Sequence, residues 1–183
     1  MADSSKRLYF VAVLPPEPLL DEMWRFKQYG RDHFETERAL SSPPHITLMP
    51  PFSLDASLEA PLIQTLQATV QDVPPFPQAL EGWGAFPPRV IYVKSLLSEA
   101  LSSLQARIES AFSAELGIAN PSPHPFTPHI TIAFKDLSPE NFERAWAHFS
   151  QVEYRRSFEV RQVALLRHVR AERRWAVLQA LDF

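Results

Sequence analysis

One short run of residues occurs twice in this chain: Pro44-His45-Ile46-Thr47-Leu48 returns as Pro128-His129-Ile130-Thr131-Ile132. Each copy follows proline-rich sequence, reads as a strand and precedes a helical pattern. That is the mark of an internal duplication. It constrains the fold more than any other feature. Two copies of one supersecondary unit place the two histidines in equivalent positions about a pseudo-twofold axis.

Side chains alternate between the two faces of a strand. His45 and Thr47 therefore point one way, while Ile46 and Leu48 point into packing, and the same holds for His129 and Thr131 against Ile130 and Ile132. Each unit offers an imidazole and a hydroxyl about 7 Å apart along the strand. Facing units make a cleft with two of each. Imidazoles titrate near neutrality, so one can take a proton from water or a ribose hydroxyl while the other gives one to a leaving oxygen. Threonine hydroxyls can donate hydrogen bonds to non-bridging phosphate oxygens. The set suits metal-free acid–base chemistry on a phosphoester, with His45 and His129 catalytic and Thr47 and Thr131 binding phosphate.

Other chemistries are excluded by composition. The 183 residues contain no cysteine, so disulfides, zinc–thiolate sites and cysteine nucleophiles are impossible. Glycine numbers 4 and proline 18, which leaves no Gly-rich phosphate loop. Phosphate binding must come from side chains and element ends. The net charge of −3 argues against a broad nucleic-acid footprint. No Asp or Glu stands at ligand spacing beside either histidine motif, so no metal is expected. No stretch approaches the length of a membrane span, and the polar start at residues 1–7 lacks a secretion signal's context. A cysteine-free chain of this kind fits the reducing cytoplasm.

Residues 8–14 read as a buried strand and 15–29 as a helix that ends at Gly30. A loose polar segment follows, 31–42. Pro43-Pro44 forces extended backbone ahead of a short strand, 45–49, closed by Pro50-Pro51. Ser57 can cap a second helix carrying Leu58, Leu62, Leu66 and Val70. Strands at 76–83 and 89–95 are joined through Gly84 and Pro87-Pro88. The clearest helix spans 98–116, and a proline-rich loop, 120–128, leads to the strand 129–134. Ser138-Pro139 opens a fourth helix bearing Phe142, Ala145, Trp146 and Phe149. A closing hairpin pairs 157–167 with 175–181. Short strands, the last two consecutive, indicate an α+β fold with antiparallel sheet in a single domain, 1–183.

Seven of the 18 basic residues fall between Arg155 and Arg174: Arg155, Arg156, Arg161, Arg167, Arg170, Arg173 and Arg174. They read equally as a solvated strand face or as a phosphate-binding edge. His33, His148 and His168 lack any partner pattern and read as surface residues, and His124 lies in the loop before the second motif.

At the paired motifs the chain resembles the 2H phosphoesterase superfamily, named for two His-x-Thr/Ser-x motifs. It is most similar to the bacterial RNA 2′,5′-ligase / cyclic phosphodiesterase-like branch. The similarity extends to RLYFVAVLPP, to FPPRVIYVKSL and to the terminal FEVRQVALLRHV and RRWAVLQALDF, nearly the whole chain. The resemblance implies a bilobal fold of two antiparallel β-sheets around a central cleft with helices outside, and pseudo-symmetric lobes. It also implies His45, Thr47, His129 and Thr131 as the active-site quartet. Members open 2′,3′-cyclic or related phosphodiesters, and some make or break 2′,5′-linked RNA. Relatives often carry an arginine shortly after the second motif, where this chain has Ala133-Phe134-Lys135. Lys135 can supply charge there but not planar bidentate contacts. Phe52 and Phe134 are candidate base-stacking contacts.

The expected substrate is a nucleotide or RNA-end phosphodiester, opened by a monomeric chain without cofactor, DNA or membrane. The alternatives are an RNA 2′,5′-ligase or hydrolase, and a non-catalytic RNA or nucleotide binder that keeps the cleft.

Overall fold

The computed structural model describes residues 5–183, so the first four residues of the polar N-terminal run lie outside it. In chain order the elements are β1 (Lys6–Val13), α1 (Leu19–Phe34), β2 (Ile46–Asp55), α2 (Glu59–Val70), β3 (Phe76–Phe86), β4 (Val90–Ser95), α3 (Glu99–Leu116), β5 (His129–Ala133), α4 (Pro139–Phe149), β6 (Arg155–Val160), β7 (Gln162–Val169) and β8 (Arg174–Asp182). The fold is α+β, as expected from the pattern.

The strands pair antiparallel in the order β6-β3-β4-β5-β2-β1-β7-β8. In place of two separate sheets there is one, made of two four-stranded halves. Among the described residues the halves pair in register where Ile46 of β2 meets Ile130 of β5. Both motif strands are thus the central strands, side by side. The sheet also curls. β6 forms one edge and β7 lies next to the other, yet Arg161 alone separates them in sequence. One residue spans roughly 7 Å at most, so the two ends of the sheet must approach each other. The segment expected as one strand, 157–167, is therefore broken at Arg161, where the chain passes from one half to the other.

Alternation divides the sheet faces cleanly. Val11, Val13, Ile46, Leu48, Val93, Ile130, Ile132, Val163 and Leu165 join the main core with buried residues of all four helices. Phe10, Ala12, Ala164 and Leu166 form a second, small cluster on the other face, with Leu14 and Trp175 against it. Thr47 pairs with Ala12, and Thr131 with Tyr92, so the motif hydroxyls lie on this second face.

Several boundaries differ from the sequence expectation for local reasons. α1 runs through Gly30 and stops at Phe34, where Glu35 turns left-handed at φ 55 and its N–H bonds Gly30 O. Gly30 is instead a packing glycine, since a Cβ there would stand 3.2 Å from Thr36 Cγ2. β2 runs on through Pro50-Pro51 to Asp55, because a register shift opposite Tyr9–Val11 spares prolines that cannot donate to the ladder. Asp55 rather than Ser57 makes the capping bond before α2, accepting from the Ser57 N–H. Ser98 and Ser138 cap α3 and α4 as their sequences suggest. No helix among the described residues is long and apolar enough to cross a membrane.

Candidate active site

Both motifs build the same local device. Pro44 and Pro128 are buried and set extended backbone just ahead of each histidine. His45 Nδ1–H donates to Pro43 O at 2.6 Å, and His129 Nδ1–H donates to Thr127 O at 2.7 Å. A carbonyl only accepts, so the proton of each neutral ring sits on Nδ1 and leaves Nε2 free as a base.

The seam then assembles the four groups. Antiparallel pairing of Ile46 with Ile130 sets His45 opposite Thr131 and Thr47 opposite His129. Directly opposed residues share a face, with Cβ atoms about 5 Å apart. The two imidazoles and two hydroxyls are therefore a diagonal quartet on one sheet face, with the isoleucines fully buried beneath.

Each histidine is walled by rings of its own half. Phe10 lies 4.7 Å from the His45 ring and meets Trp175 edge-on, also at 4.7 Å. Tyr92 lies 4.8 Å from the His129 ring, and Phe86 meets it edge-on at 5.5 Å. Gly84 makes room for this: a Cβ there would come within 2.3 Å of the Tyr92 ring. Lys94, exposed, pairs with His129 in register and adds a cation on the same face.

A cavity of about 260 Å³ opens on this face. Phe10, Lys27, Arg38, Ser42, His45, Thr47, Thr131, Phe134 and Trp175 are among its lining residues, while His129 is not. Its far wall is the chain between α1 and β2, held by Asp136 just after the second motif. One Asp136 oxygen accepts from Thr36 Oγ1 at 2.8 Å, and the other accepts from the Glu37 and Arg38 N–H groups, both at 2.9 Å. The second motif thus fixes the loop that precedes the first.

Burial disfavours charge on both rings. It pushes His45 down to about 4, assisted by the like charge of Lys27 and, more weakly, of His129, and opposed by the Pro43 bond. His129 is also lowered, by burial, against the bond to Thr127. Lys27 itself is pushed down to about 7 by burial alone.

The secondary candidates separate. Phe134 lines the cavity. Phe52 does not: it is a core residue packed against Tyr9 and Phe112, because its position in β2 falls on the helix-covered face. Lys135, at φ 61, is not among the cavity-lining residues and lays its ammonium over the Phe134 ring, 4.8 Å from the centroid. The basic cluster is largely neutralised. Arg155 pairs with Glu81, Arg156 with Glu22, Arg161 with Glu159, Arg167 with Glu59 and Arg174 with Glu172. This agrees with the solvated-face reading, and none of these arginines lines the cavity beside the quartet. His33 and His148 sandwich the Tyr29 ring, and His168 stands edge-on to Trp175 rather than free on the surface. Among the described residues no three His, Asp or Glu side chains form a metal-ligand group.

Lys27, Arg38, Phe10, Trp175, Tyr92 and Asp136 are site residues that the motif pattern did not reveal. Lys27 had a signal. It continues the buried α1 stripe Leu19, Met23, Gly30 and Phe34, where an apolar residue belongs.

The chain thus carries two His-x-Thr strands side by side at the seam of one curled antiparallel sheet. The family model of the 2′-5′ RNA ligase superfamily matches residues 15–172, and the chain belongs to that family. A protein of Geobacillus sp. (strain WCH70) named "Putative phosphoesterase" is 30% identical over 131 residues, covering 70% of this chain and 69% of its own. One of the same name from Staphylococcus epidermidis (strain ATCC 12228 / FDA PCI 1200) is 26% identical over 175 residues, covering 92% and 95%. Among solved structures, TT0787 of Thermus thermophilus superposes with a TM-score of 0.71 at 23% identity, covering 96% of this chain and 97% of its own. E. coli LigT complexed with 3′-AMP gives 0.68 at 19% identity, covering 97% and 98%. These structural likenesses establish the shared fold. Family membership supports phosphodiesterase or RNA-ligase-type activity.

Proposed function

We propose that the protein opens 2′,3′-cyclic or related phosphodiesters of nucleotides or RNA ends by two-histidine acid–base catalysis without a metal. The observation that carries this reading is the quartet: two imidazoles with tied Nδ1–H and free Nε2, beside two hydroxyls, on one sheet face. In the reaction water adds to phosphorus, one imidazole takes its proton, and the bond to a ribose oxygen breaks. The other imidazole, protonated beforehand, delivers its proton to that oxygen. Thr47 and Thr131 donate to the non-bridging oxygens as their charge grows.

We assign the base to His45 and the acid to His129. His45 is the more strongly held neutral, by burial and by Lys27 beside it. His129 has no such cation among the causes of its smaller shift, so a bound phosphate anion charges it first. The relatives' phosphoesterase names, and LigT structures with 3′-AMP, ATP and NADP+, favour a nucleotide substrate. The reading takes the protein to be one domain of two duplicated lobes, acting as a monomer in the cytoplasm.

A second reading, joining or cleaving 2′,5′-linked RNA, draws on the family's name. The discriminating experiment is a panel of nucleoside 2′,3′-cyclic phosphates, linear 2′,5′ dinucleotides and RNA with cyclic ends, run in EDTA. Turnover of the cyclic substrates that disappears in both His45→Ala and His129→Ala is expected. Activity on 2′,5′ linkages alone would favour the second reading, and tight phosphate binding without turnover of any substrate would leave a binding protein.

A further inference from the structure

Lys27 is only 2% exposed. Its ammonium donates to Ala39 O at 2.8 Å and Ser42 O at 2.9 Å, and no carboxylate pairs with it among the described residues. The Trp24 ring lies below, 5.1 Å from Nζ to the centroid. An ammonium has three N–H donors, so one is left over. Lys27 lines the same cavity as His45, Thr47 and Thr131. A buried cation without a counter-ion is costly. Here it lines that cavity, and two carbonyls fix it in place.

Arg38 lines the same cavity, and its guanidinium makes no ion pair among the described residues. Both cations come from α1 and the chain leading to the first motif. Lys135, which follows the second motif, is absent from the lining.

Resting on the phosphodiesterase reading, we propose that Lys27 is the anion-binding residue of this cavity. Its third N–H takes a non-bridging oxygen of the substrate's phosphate, with Arg38 as the outer cation. The charge needed for phosphate thus comes from the α1 side of the cleft. It does not come from the position after the second motif.

Calorimetry with inorganic phosphate and with adenosine 3′-monophosphate tests this directly. Wild type is expected to bind both, and Lys27→Met, an apolar side chain of similar length, should bind each at least tenfold more weakly. Equal binding by a folded Lys27→Met protein would overturn the proposal. A measurement on wild type guards against a variant that does not fold. The ¹³Cε resonance of Lys27 should shift when inorganic phosphate is added, and a signal that stays put at saturating phosphate overturns the proposal. Turnover of cyclic phosphates, followed in parallel, separates the two readings. Phosphate binding through Lys27 without turnover defeats the enzyme assignment alone. Turnover with unchanged binding in Lys27→Met defeats the Lys27 assignment alone. No phosphate binding by wild type defeats the Lys27 assignment as well.

Discussion

His45 and His129 sit in the same pentapeptide frame, make the same bond to a carbonyl two residues back and face each other across one seam, yet their surroundings differ. His45 is enclosed by Phe10, by the α1–β2 chain and by a buried lysine, and burial pushes it down to about 4. His129 is walled by Tyr92 and Phe86, the latter 45% exposed, and lies outside the cavity lining. The motif therefore sets orientation and tautomer, while the neighbouring elements set the electrostatics. On the proposed reading, the two copies divide into base and acid because only His45 has the α1 lysine, Lys27, beside it.

The harshest way to break this comparison is to remove the imidazoles. His45→Ala and His129→Ala should each lower turnover of nucleoside 2′,3′-cyclic phosphates by about 10³-fold, within the usual range for a lost acid or base. If one variant keeps near-wild-type rates in steady-state assays, the pairing is wrong. Next come the hydroxyls. Thr47→Val and Thr131→Val each remove one donor to a charged oxygen, a loss of roughly 1.5–3 kcal/mol, or about 10- to 100-fold in kcat/KM. Because register puts the two threonines in equivalent places, unequal losses would show that the phosphate sits off-centre.

How much of this was readable in advance follows the range of the interactions. The quartet was legible because it depends on strand alternation within five residues. The helix caps at Ser98 and Ser138 were legible for the same local reason. The fusion of two expected sheets at Ile46–Ile130 was not, since strand pairing across more than eighty residues leaves no local mark. The break at Arg161 did leave a mark, since the exposed Arg161-Gln162 pair interrupts the apolar alternation and shifts its phase from Phe158 and Val160 to Val163 and Leu165. Phe52 looked like a cleft residue by proximity in sequence, but it lies an even number of residues from Ile46 and Leu48 and shares their core face, opposite the motif's open face. The arginine cluster looked basic only because its partners Glu22, Glu59 and Glu81 lie far away in the chain.

A gentler break leaves the quartet intact and alters one wall at a time. Asp136→Ala frees Thr36 and the Glu37 and Arg38 N–H groups, loosening the wall beside His45. Gly84→Ala drives the Tyr92 ring from its place beside His129. Each should change kcat/KM several-fold, about 1 kcal/mol of positioning, with thermal unfolding used to separate lost stability from lost placement. Asp136→Ala is expected to act mainly through KM, since its wall carries the anion-binding side chains. An effect of Gly84→Ala on KM alone would argue that Tyr92 touches substrate rather than holding His129.

The finest test reads the inequality itself, by NMR titration of the two imidazoles. On acidification from pH 7, His129 should gain its proton first, and His45 should stay neutral until about pH 4. The sign carries over to stability. An unfolded histidine titrates near 6.5, so the unfolded chain binds the proton before folded His45 does. The stability contributed by neutral His45 is then complete above about 6.5 and is lost as the pH falls toward 4. Lys27→Met removes a like charge from beside His45. That should raise the His45 midpoint and narrow the window, while the His129 midpoint stays where it was, because Lys27 is not among the causes of its shift. Equal movement of both midpoints would mean that Lys27 acts on the cleft as a whole, and the two copies of the motif would then differ by burial alone.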